Sequence, residues 1–382
     1  MSVLTFVDFE RKTKGVWMTD YDVLIVGAGH NGLTAASVLG QHGLSVLVLE
    51  KTNFPGGMAA TRELFSGFKH SIGAWTFIVY TDEMLERLEL VSKWGFELHD
   101  QWASFCTFGD NGSPPFIAYN DLDRMTRHLV EDHDPSALIG LAGLYEHLGK
   151  FQPYFEEARF GEPRPIAEIL NSVGDSTLRA DLNQLWFGSC MDIIGRFFPD
   201  SGTNRTIRGS LAAMTIDSTF RGPFSPDTGA SMLYHYLAGG MKNVFRMPKG
   251  GIGSLSEALA RSAAGHKAEV QYKAQIQRFL VENGEVTGVE LRDGTTITAK
   301  AVISTVDARS TFINLLGEEY LPVEFAQTIK EIDSEPVKRF ETLSIHAFCA
   351  TSSRTTGGLI HATSGSRGAK GGRCRNLMGL TA

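Results

Sequence analysis

The chain has 382 residues, of which 42% are hydrophobic and 21% are charged, so it has the composition of a globular protein with two or three domains. A net charge of −7 without a basic stripe argues against nucleic acid as a partner, and no apolar run is long enough to predict a transmembrane segment. The four scattered cysteines include no C-x-x-C pair, which predicts free thiols in the cytoplasm and neither a redox disulfide nor a metal site.

Residues 1–17 lack the long apolar core of a signal peptide, and Met18 stands just before the first predicted strand. We therefore predict that residues 1–17 are a disordered extension. Mass spectrometry of the N-terminus of the natively expressed protein tests this prediction.

A nucleotide-binding pattern runs from residue 21 to residue 50. The apolar, β-branched run at 23–26 predicts a buried strand, which a G-x-G-x-x-G turn, a helix and a second strand follow. The second strand ends at Glu50, where an acid accepts hydrogen bonds from the ribose hydroxyls of adenosine. This order and spacing favour a dinucleotide site over an ordinary β-turn-α loop, and the acid disfavours the 2′-phosphate of NADP.

Each position of the glycine-rich turn has a physical role in such a site. Gly27 permits the tight turn, Gly29 lets the backbone approach a pyrophosphate, and Gly32 lets the helix pack closely on the sheet. The first helical turn, which contains His30 and Asn31, presents free N–H groups and a partial positive charge to the phosphates.

A second glycine-rich turn follows at once in the sequence KTNFPGGMAATR, at residues 51–62. An acid followed within one short loop by the pair Gly56 and Gly57 resembles flavoproteins of the glutathione-reductase-2 type, which include amine oxidases and carotenoid desaturases. The resemblance implies that this pair passes close to the phosphates and ribityl chain of a flavin, whereas a surface turn is the alternative. The same resemblance assigns three further residues of the segment to the cofactor site: Lys51, Met58 and Thr61.

Residues 65–75 alternate aromatic and polar side chains between glycines, which predicts a short strand and a turn. In the resembling family this segment, which here includes Gly73, lies beside the isoalloxazine ring. His70 and Trp75 are the catalytic candidates by position, although a single histidine next to a strand is more often structural. No side chain is assigned as catalytic.

Residues 81–245 are predicted to be mostly helical, because apolar residues recur at helical spacing, for example at 138–148. The aromatic stretch at 185–198 fits either a core or a tunnel for a lipophilic substrate.

Cofactor-type sequence returns at 247–255, MPKGGIGSL, which looks like the re-entry from the substrate domain in relatives of the carotenoid desaturases. Three predicted strands follow, separated by Asn-Gly and Asp-Gly turns, and describe a β-meander that returns into the main sheet. The resemblance implies that Ile276 covers the adenine and that Thr305 ends the returning strand near the cofactor. A nucleotide domain divided in this way favours FAD over NAD.

The predicted fold is α/β, with a Rossmann-type FAD-binding domain of the glutathione-reductase-2 type and its β-meander, and an inserted, mostly helical α+β substrate domain. The FAD-binding domain is expected at 18–80 and 246–310, and the substrate domain at 81–245 and 311–348. Residues 349–382 form an atypical, low-complexity tail without acidic residues, and the family's closing glycine-rich segment is missing from it. We predict that a frameshift or truncation produced this tail, and a natural flexible end is the alternative.

The resemblance is closest to phytoene-dehydrogenase-related flavoproteins of the amine oxidase and carotenoid desaturase superfamily. It implies an FAD-dependent oxidoreductase whose flavin accepts a hydride from a C–H bond of an apolar or amine substrate. The partner is then a small molecule. If it is the apolar substrate, it is lipophilic and compatible with peripheral membrane contact, and the sequence leaves the oligomeric state open. The alternatives are a truncated, non-catalytic nucleotide-binding or interaction protein and an NAD-dependent dehydrogenase.

Overall fold

The computed structural model describes residues 19–332 except 75–76, 78–79, 101–102, 110–111, 156–161, 163, 203, 217–218, 220 and 240–245. The predicted N-terminal extension, the catalytic candidate Trp75 and the tail at 349–382 lie outside the described residues.

The strands, in chain order, are Tyr21–Val26 (β1), Val46–Glu50 (β2), Thr61–Phe65 (β3), Phe68–Ser71 (β4), Ala103–Thr107 (β5), Phe116–Tyr119 (β6), Glu269–Tyr272 (β7), Ile276–Glu282 (β8), Glu285–Leu291 (β9) and Thr296–Ser304 (β10). Six of them form one sheet in the order β7-β2-β1-β10-β9-β8. The pairs β7–β2, β2–β1 and β1–β10 are parallel. The pairs β10–β9 and β9–β8 are antiparallel. The remaining four form the hairpins β3–β4 and β5–β6.

The α-helices are His30–Gln41 (α1), Asp82–Arg87 (α2), Leu122–Arg127 (α3), Pro135–Gly149 (α4), Ile166–Ser172 (α5), Ser176–Phe187 (α6), Cys190–Phe197 (α7), Arg205–Ile216 (α8), Thr228–Gly239 (α9), Gly253–Gly265 (α10) and Val323–Glu331 (α11). Short 3₁₀-helices lie at Gly57–Ala59 and Glu318–Tyr320, and π-helical segments at His128–His133 and Arg309–Leu316.

The strand β10 joins the two separate parts of the nucleotide-binding unit. Its second half pairs in parallel with β1, with Ile303 opposite Ile25, while its first half pairs with β9 in antiparallel register, with Ile297 opposite Val289. The predicted meander and its return into the main sheet are thereby confirmed, and the chain has the predicted mixed α/β fold.

Both faces of β1 are covered from residue 23 to residue 26, which explains the unbroken apolar run there. Val23 and Ile25 belong to the core that packs against α1 and α10, whereas Leu24 and Val26 belong to the core that packs against β8 and β9. Alternate residues of a strand point to opposite faces, so this strand separates a helical layer from a β-meander layer.

The helices between the two parts of the nucleotide-binding unit have a hydrophobic core of their own. It extends along the chain from Phe116 to Leu233 and includes one side of the hairpin β5–β6. Leu85 and Phe96, in contrast, pack in the core shared with α1 and α10. The boundary of the substrate domain at residue 81 stays a prediction.

The lengths and apolar character of the helices bear on whether the chain crosses a membrane. Within the part of the chain that the structure describes, no helix combines the length and apolar character required to cross a bilayer.

Candidate cofactor site

The first glycine turn begins where β1 ends. Gly27 has a φ of +99°, a left-handed conformation that favours glycine, and its N–H donates to the carbonyl oxygen of Leu49 at 2.9 Å. Thr305 holds the same turn from the other side, because its N–H and its hydroxyl lie 3.0 and 2.9 Å from the carbonyl oxygen of Val26. Thr305 therefore follows the last residue of β10 and lies beside the turn, and its place near the cofactor stays a prediction.

Gly29 and Gly32 differ in what surrounds them. A Cβ added to Gly32 would lie 2.0 Å from the carbonyl oxygen of Gly27, so only glycine allows α1 to approach the turn this closely. A Cβ added to Gly29 would meet no protein atom within 4 Å, so protein packing does not require glycine there. The open space at Gly29 lies at the start of α1, where backbone N–H groups lack helical partners and attract anions.

The second glycine turn lies against the first. The N–H of Gly56 donates to the carbonyl oxygen of Ala28 at 2.8 Å, and Gly56 and Gly29 form an isolated parallel bridge. A Cβ added to Gly57 would lie 3.8 Å from the Cα of Gly29, with no closer neighbour. The structure therefore brings Gly27, Gly29, Gly56 and Gly57 together at the N-terminus of α1.

The carboxylate of Glu50 lies beside these turns, although the side chain is only 7% exposed. Its Oε2 accepts a hydrogen bond from the Ala28 N–H at 2.9 Å, and its Oε1 accepts from the N–H and hydroxyl of Thr52, each at 2.9 Å. Burial, together with the nearby negative charge of Glu50, raises the pKa of Tyr272, which is paired with Glu50 across β2 and β7. Such a buried carboxylate can accept hydrogen bonds from the hydroxyl groups of a ribose.

Two further predicted cofactor residues, Ile276 and Lys51, belong to segments next to Glu50. The segment that leads into β8 crosses the end of β2, where the Ala274 N–H donates to the Glu50 carbonyl oxygen at 2.9 Å. Ile276 follows two residues later as a half-buried residue of β8, opposite Leu291, and Lys51 is exposed. The assignments of Ile276 to the adenine and of Lys51 to the cofactor stay predictions.

Met58 and Gly73 are neighbours. The carbonyl oxygen of Met58 accepts from the Ala74 N–H at 2.8 Å, and a Cβ on Gly73 would lie 2.7 Å from that same oxygen. The Met58 side chain is 63% exposed. The hydroxyl of Thr61 accepts from the Gly253 N–H at 2.9 Å, so it ties β3 to the start of α10.

The structure shows the surroundings of three further predicted residues: His30, Asn31 and His70. Burial lowers the pKa of His30, which is the first residue of α1, and Asn31 is exposed. His70 lies in β4 opposite Arg62, with its ring edge-on to Phe65 at a centroid distance of 6.1 Å. The catalytic role considered for His70 stays a prediction.

The sequence analysis missed several residues that support this site. Thr52 is one, and its signal is a hydroxyl residue two positions after the acid, a spacing at which side chains commonly reach nearby polar groups. Ser256 is another, because its hydroxyl donates to the Ala59 carbonyl oxygen at 2.7 Å from α10. The phenol of Tyr80 is hydrogen-bonded to Thr34 of α1, and burial raises its pKa to about 12.

The arrangement combines free helical N–H groups, two glycine turns without side chains and one buried carboxylate. These groups fit the diphosphate and ribose of a dinucleotide. The helical N–H groups and the glycine turns bind and orient a ligand, and a bound cofactor would supply the chemistry.

Comparison with known proteins identifies the family. A family model described as flavin containing amine oxidoreductase matches residues 32–340. The chain belongs to this family. FAD is therefore the cofactor that fits the site.

Relatives agree with this assignment. The chain is 26% identical over 354 residues to pyridine nucleotide-disulfide oxidoreductase domain-containing protein 2 of Rattus norvegicus, covering 84% of this chain and 59% of the relative. It is 28% identical over 326 residues to the chloroplastic prolycopene isomerase of Daucus carota, covering 80% of this chain and 49% of the relative. The chain thus spans about half to six tenths of the length of these relatives.

Solved structures share the fold. Wild-type putrescine oxidase bound to putrescine matches with a TM-score of 0.55 at 17% identity, over 81% of this chain and 63% of that chain. A fatty acid isomerase from P. acnes matches with a TM-score of 0.53 at 17% identity, over 81% of this chain and 64% of that chain. The resemblance to the amine oxidase and carotenoid desaturase superfamily is thereby confirmed at the level of family and fold.

Proposed function

We propose that the protein binds FAD between the two glycine turns and oxidises a C–H bond of a small apolar substrate. The observation that carries the proposal is the open space at Gly29. No protein atom lies within 4 Å of a Cβ added there, although Gly57 approaches on one side. Glycine at this position is explained by a bound group that needs the backbone itself to come close.

The residues of the site divide the binding of FAD between them. The first N–H groups of α1 bind the diphosphate, the Gly56–Gly57 turn lies along the chain that leads to the flavin, and the Glu50 carboxylate orients the ribose. FAD, when bound, supplies the acceptor for a hydride. Thr305 and Gly32 hold the first turn and α1 in the arrangement that these contacts require.

The helical core supports one of the two substrate classes. Two small cavities of about 70 and 50 Å³ adjoin there and share the lining residues Tyr145, Leu211 and Met214. No carboxylate lies among the described residues that line them, so nothing there would neutralise an ammonium group. The name of the carrot relative, a prolycopene isomerase, also denotes a hydrocarbon ligand. Of the two substrate classes, apolar and amine, we therefore propose the apolar one.

The test is the visible absorbance spectrum of the purified full chain, with the released cofactor identified by mass spectrometry. We expect a flavin spectrum and about one FAD per chain. Anaerobic bleaching of the flavin by a polyene or a fatty acid, and not by a diamine, is the expected substrate result. A protein that stays colourless after FAD is added contradicts the proposal, and bleaching by the diamine alone contradicts the substrate class.

A second function, nucleotide binding without turnover, is favoured by the surface next to the second glycine turn. Met58, Phe65 and Phe68 are 63%, 70% and 57% exposed, and such an apolar surface does little to exclude water from a nearby flavin. A chain that retains FAD, is bleached by dithionite and is bleached by no substrate has this second function.

A further inference from the structure

The Glu50 carboxylate is held by protein groups on both of its oxygens. The Ala28 N–H approaches Oε2, while the N–H and the hydroxyl of Thr52 approach Oε1, all at 2.9 Å. A carboxylate with only 7% exposure needs such donors, because a buried charge without them is strongly unfavourable. The direction of the carboxylate is therefore set by the protein.

The hydroxyl of Thr52 has two acceptors and a single proton. It lies 2.9 Å from Oε1 of Glu50 and 2.8 Å from the carbonyl oxygen of Phe54. The ionised carboxylate is the stronger acceptor, because hydrogen bonds to charged groups are stronger than neutral ones. The Phe54 carbonyl oxygen is the alternative acceptor for the same proton.

The backbone of Thr52 is anchored independently of its side chain. Its carbonyl oxygen accepts from the Lys273 N–H at 2.8 Å, in the segment between β7 and β8. Removing the hydroxyl alone therefore leaves the loop attached to the sheet. The effect of Thr52 on Glu50 can thus be separated from its effect on the loop.

We propose that Thr52 is a positioning residue for FAD, whose hydroxyl and N–H hold the Glu50 carboxylate in the direction that accepts the ribose hydroxyls of the adenosine. This inference rests on the proposed FAD site. A glutamate side chain has three rotatable torsions, and fixing them before the ligand arrives reduces the entropy that binding would otherwise lose. Thr52 acts through Glu50 and does not itself contact the reacting atoms.

The test compares Thr52→Val and Thr52→Ser in the full-length apoprotein. Thr298→Val is the matched control, because the N–H and hydroxyl of Thr298 also donate to one carboxylate, that of Asp20, at 2.9 and 3.0 Å. FAD binding is measured by flavin fluorescence, and binding of ADP and 2′,3′-dideoxy-ADP by calorimetry. Urea unfolding of each variant reports on the fold.

We expect Thr52→Val to weaken FAD and ADP binding about tenfold, the size of one hydrogen bond to a charged group, and Thr52→Ser to restore most of it. Binding of 2′,3′-dideoxy-ADP, which lacks the ribose hydroxyls, should stay within about twofold in every variant. Thr298→Val should leave all three affinities unchanged.

The outcomes separate this inference from the proposed function. Wild-type protein that binds neither FAD nor ADP contradicts the proposed function. Wild-type protein that binds FAD, with Thr52→Val binding it equally well, contradicts only the role of Thr52. An equal loss for ADP and its dideoxy analogue, or no rescue by serine, means that Thr52 shapes the loop and does not position the carboxylate.

Discussion

The hydroxyl oxygen of Thr305 lies 3.2 Å from the carbonyl oxygen of Gly27, so the end of β10 is hydrogen-bonded to the turn that follows β1. These residues are 278 positions apart in the chain. The turn that would receive the diphosphate is therefore held both by β1, which precedes it, and by the end of β10.

Replacement of Gly29 by alanine separates binding from stability. Its φ of −70° suits any residue, and the added Cβ meets no protein atom. We expect Gly29→Ala to change the free energy of unfolding by less than about 1 kcal/mol, as for other N-cap substitutions. FAD affinity should fall at least about tenfold, because the methyl group fills the space needed by the phosphates. Melting curves and FAD titrations measure the two effects, and an unchanged affinity places the phosphates elsewhere.

Replacement of Gly32 by alanine should mainly lower the stability of the fold. The new Cβ would lie 2.0 Å from the Gly27 carbonyl oxygen, so α1 must move away from the turn. We expect Gly32→Ala to lower the free energy of unfolding by about 3 kcal/mol in urea titrations. Gly195→Ala is the control, because that exposed helical glycine has no neighbour within 4 Å and should gain up to about 1 kcal/mol. Equal effects of the two substitutions would contradict the packing role of Gly32.

Replacement of Glu50 by glutamine keeps the shape of the side chain and removes its charge. The amide NH₂ would face a donor on whichever side it lies, either the Ala28 N–H or the Thr52 donors. We expect Glu50→Gln to lower the free energy of unfolding by about 1–3 kcal/mol and FAD affinity by roughly 10- to 100-fold. Calorimetry and flavin fluorescence measure these changes. Glu257→Gln, an exposed change on α10, should alter neither, and full FAD affinity in Glu50→Gln would exclude the ribose role.

The lowered pKa of Asp22 predicts how the stability of the fold depends on pH. A hydrogen bond from Lys300 at 2.6 Å, together with the Ser45 N–H, lowers the pKa of Asp22 in the folded protein. Its stabilising effect is complete above the pKa of the unfolded chain, about 3.9, and is lost as the pH falls through the lower folded pKa. Asp22→Asn should therefore cost about 0.5–1 kcal/mol at neutral pH, with the difference disappearing in acid.

Urea titrations at a series of pH values measure this difference for Asp22→Asn and for the matched variant Lys300→Met. Lys300→Met should lose only part of the pH-dependent stability that Asp22→Asn loses, because the Ser45 N–H still lowers the pKa of Asp22 in that variant. A wild-type and an Asp22→Asn curve that stay parallel down to the acid limit would show that the pair does not couple to folding.

The local parts of the fold could be predicted from the sequence because each carries its own signal. The strand, turn and helix from Tyr21 to Gln41 follow from periodicity and glycine placement, and the Asn283-Gly284 turn gave the β8–β9 hairpin. Gly43, with a φ of +79°, directly follows His42, the residue that caps the end of α1.

The remaining features depend on contacts between distant residues. The hairpin β5–β6 lies in a region that the sequence predicts to be mostly helical. It was not predicted, because Phe105 and Phe116 become strand residues through their pairing and through the helices that cover them. The bridge between Gly29 and Gly56 is likewise invisible in a local pattern. Thr52 was missed because a threonine near an acid is common and only its contacts in the folded chain distinguish it.

The division of the sheet has a consequence for biosynthesis. β1 leaves the ribosome long before β10, its parallel partner, and Ile25 and Ile303 are joined in register. At a translation rate of about 5–20 residues per second, roughly 15–55 s pass before that partner is made. During this interval one edge of β1 has no partner and its apolar face lacks the meander, so nascent chains should depend on chaperones that bind early and release late.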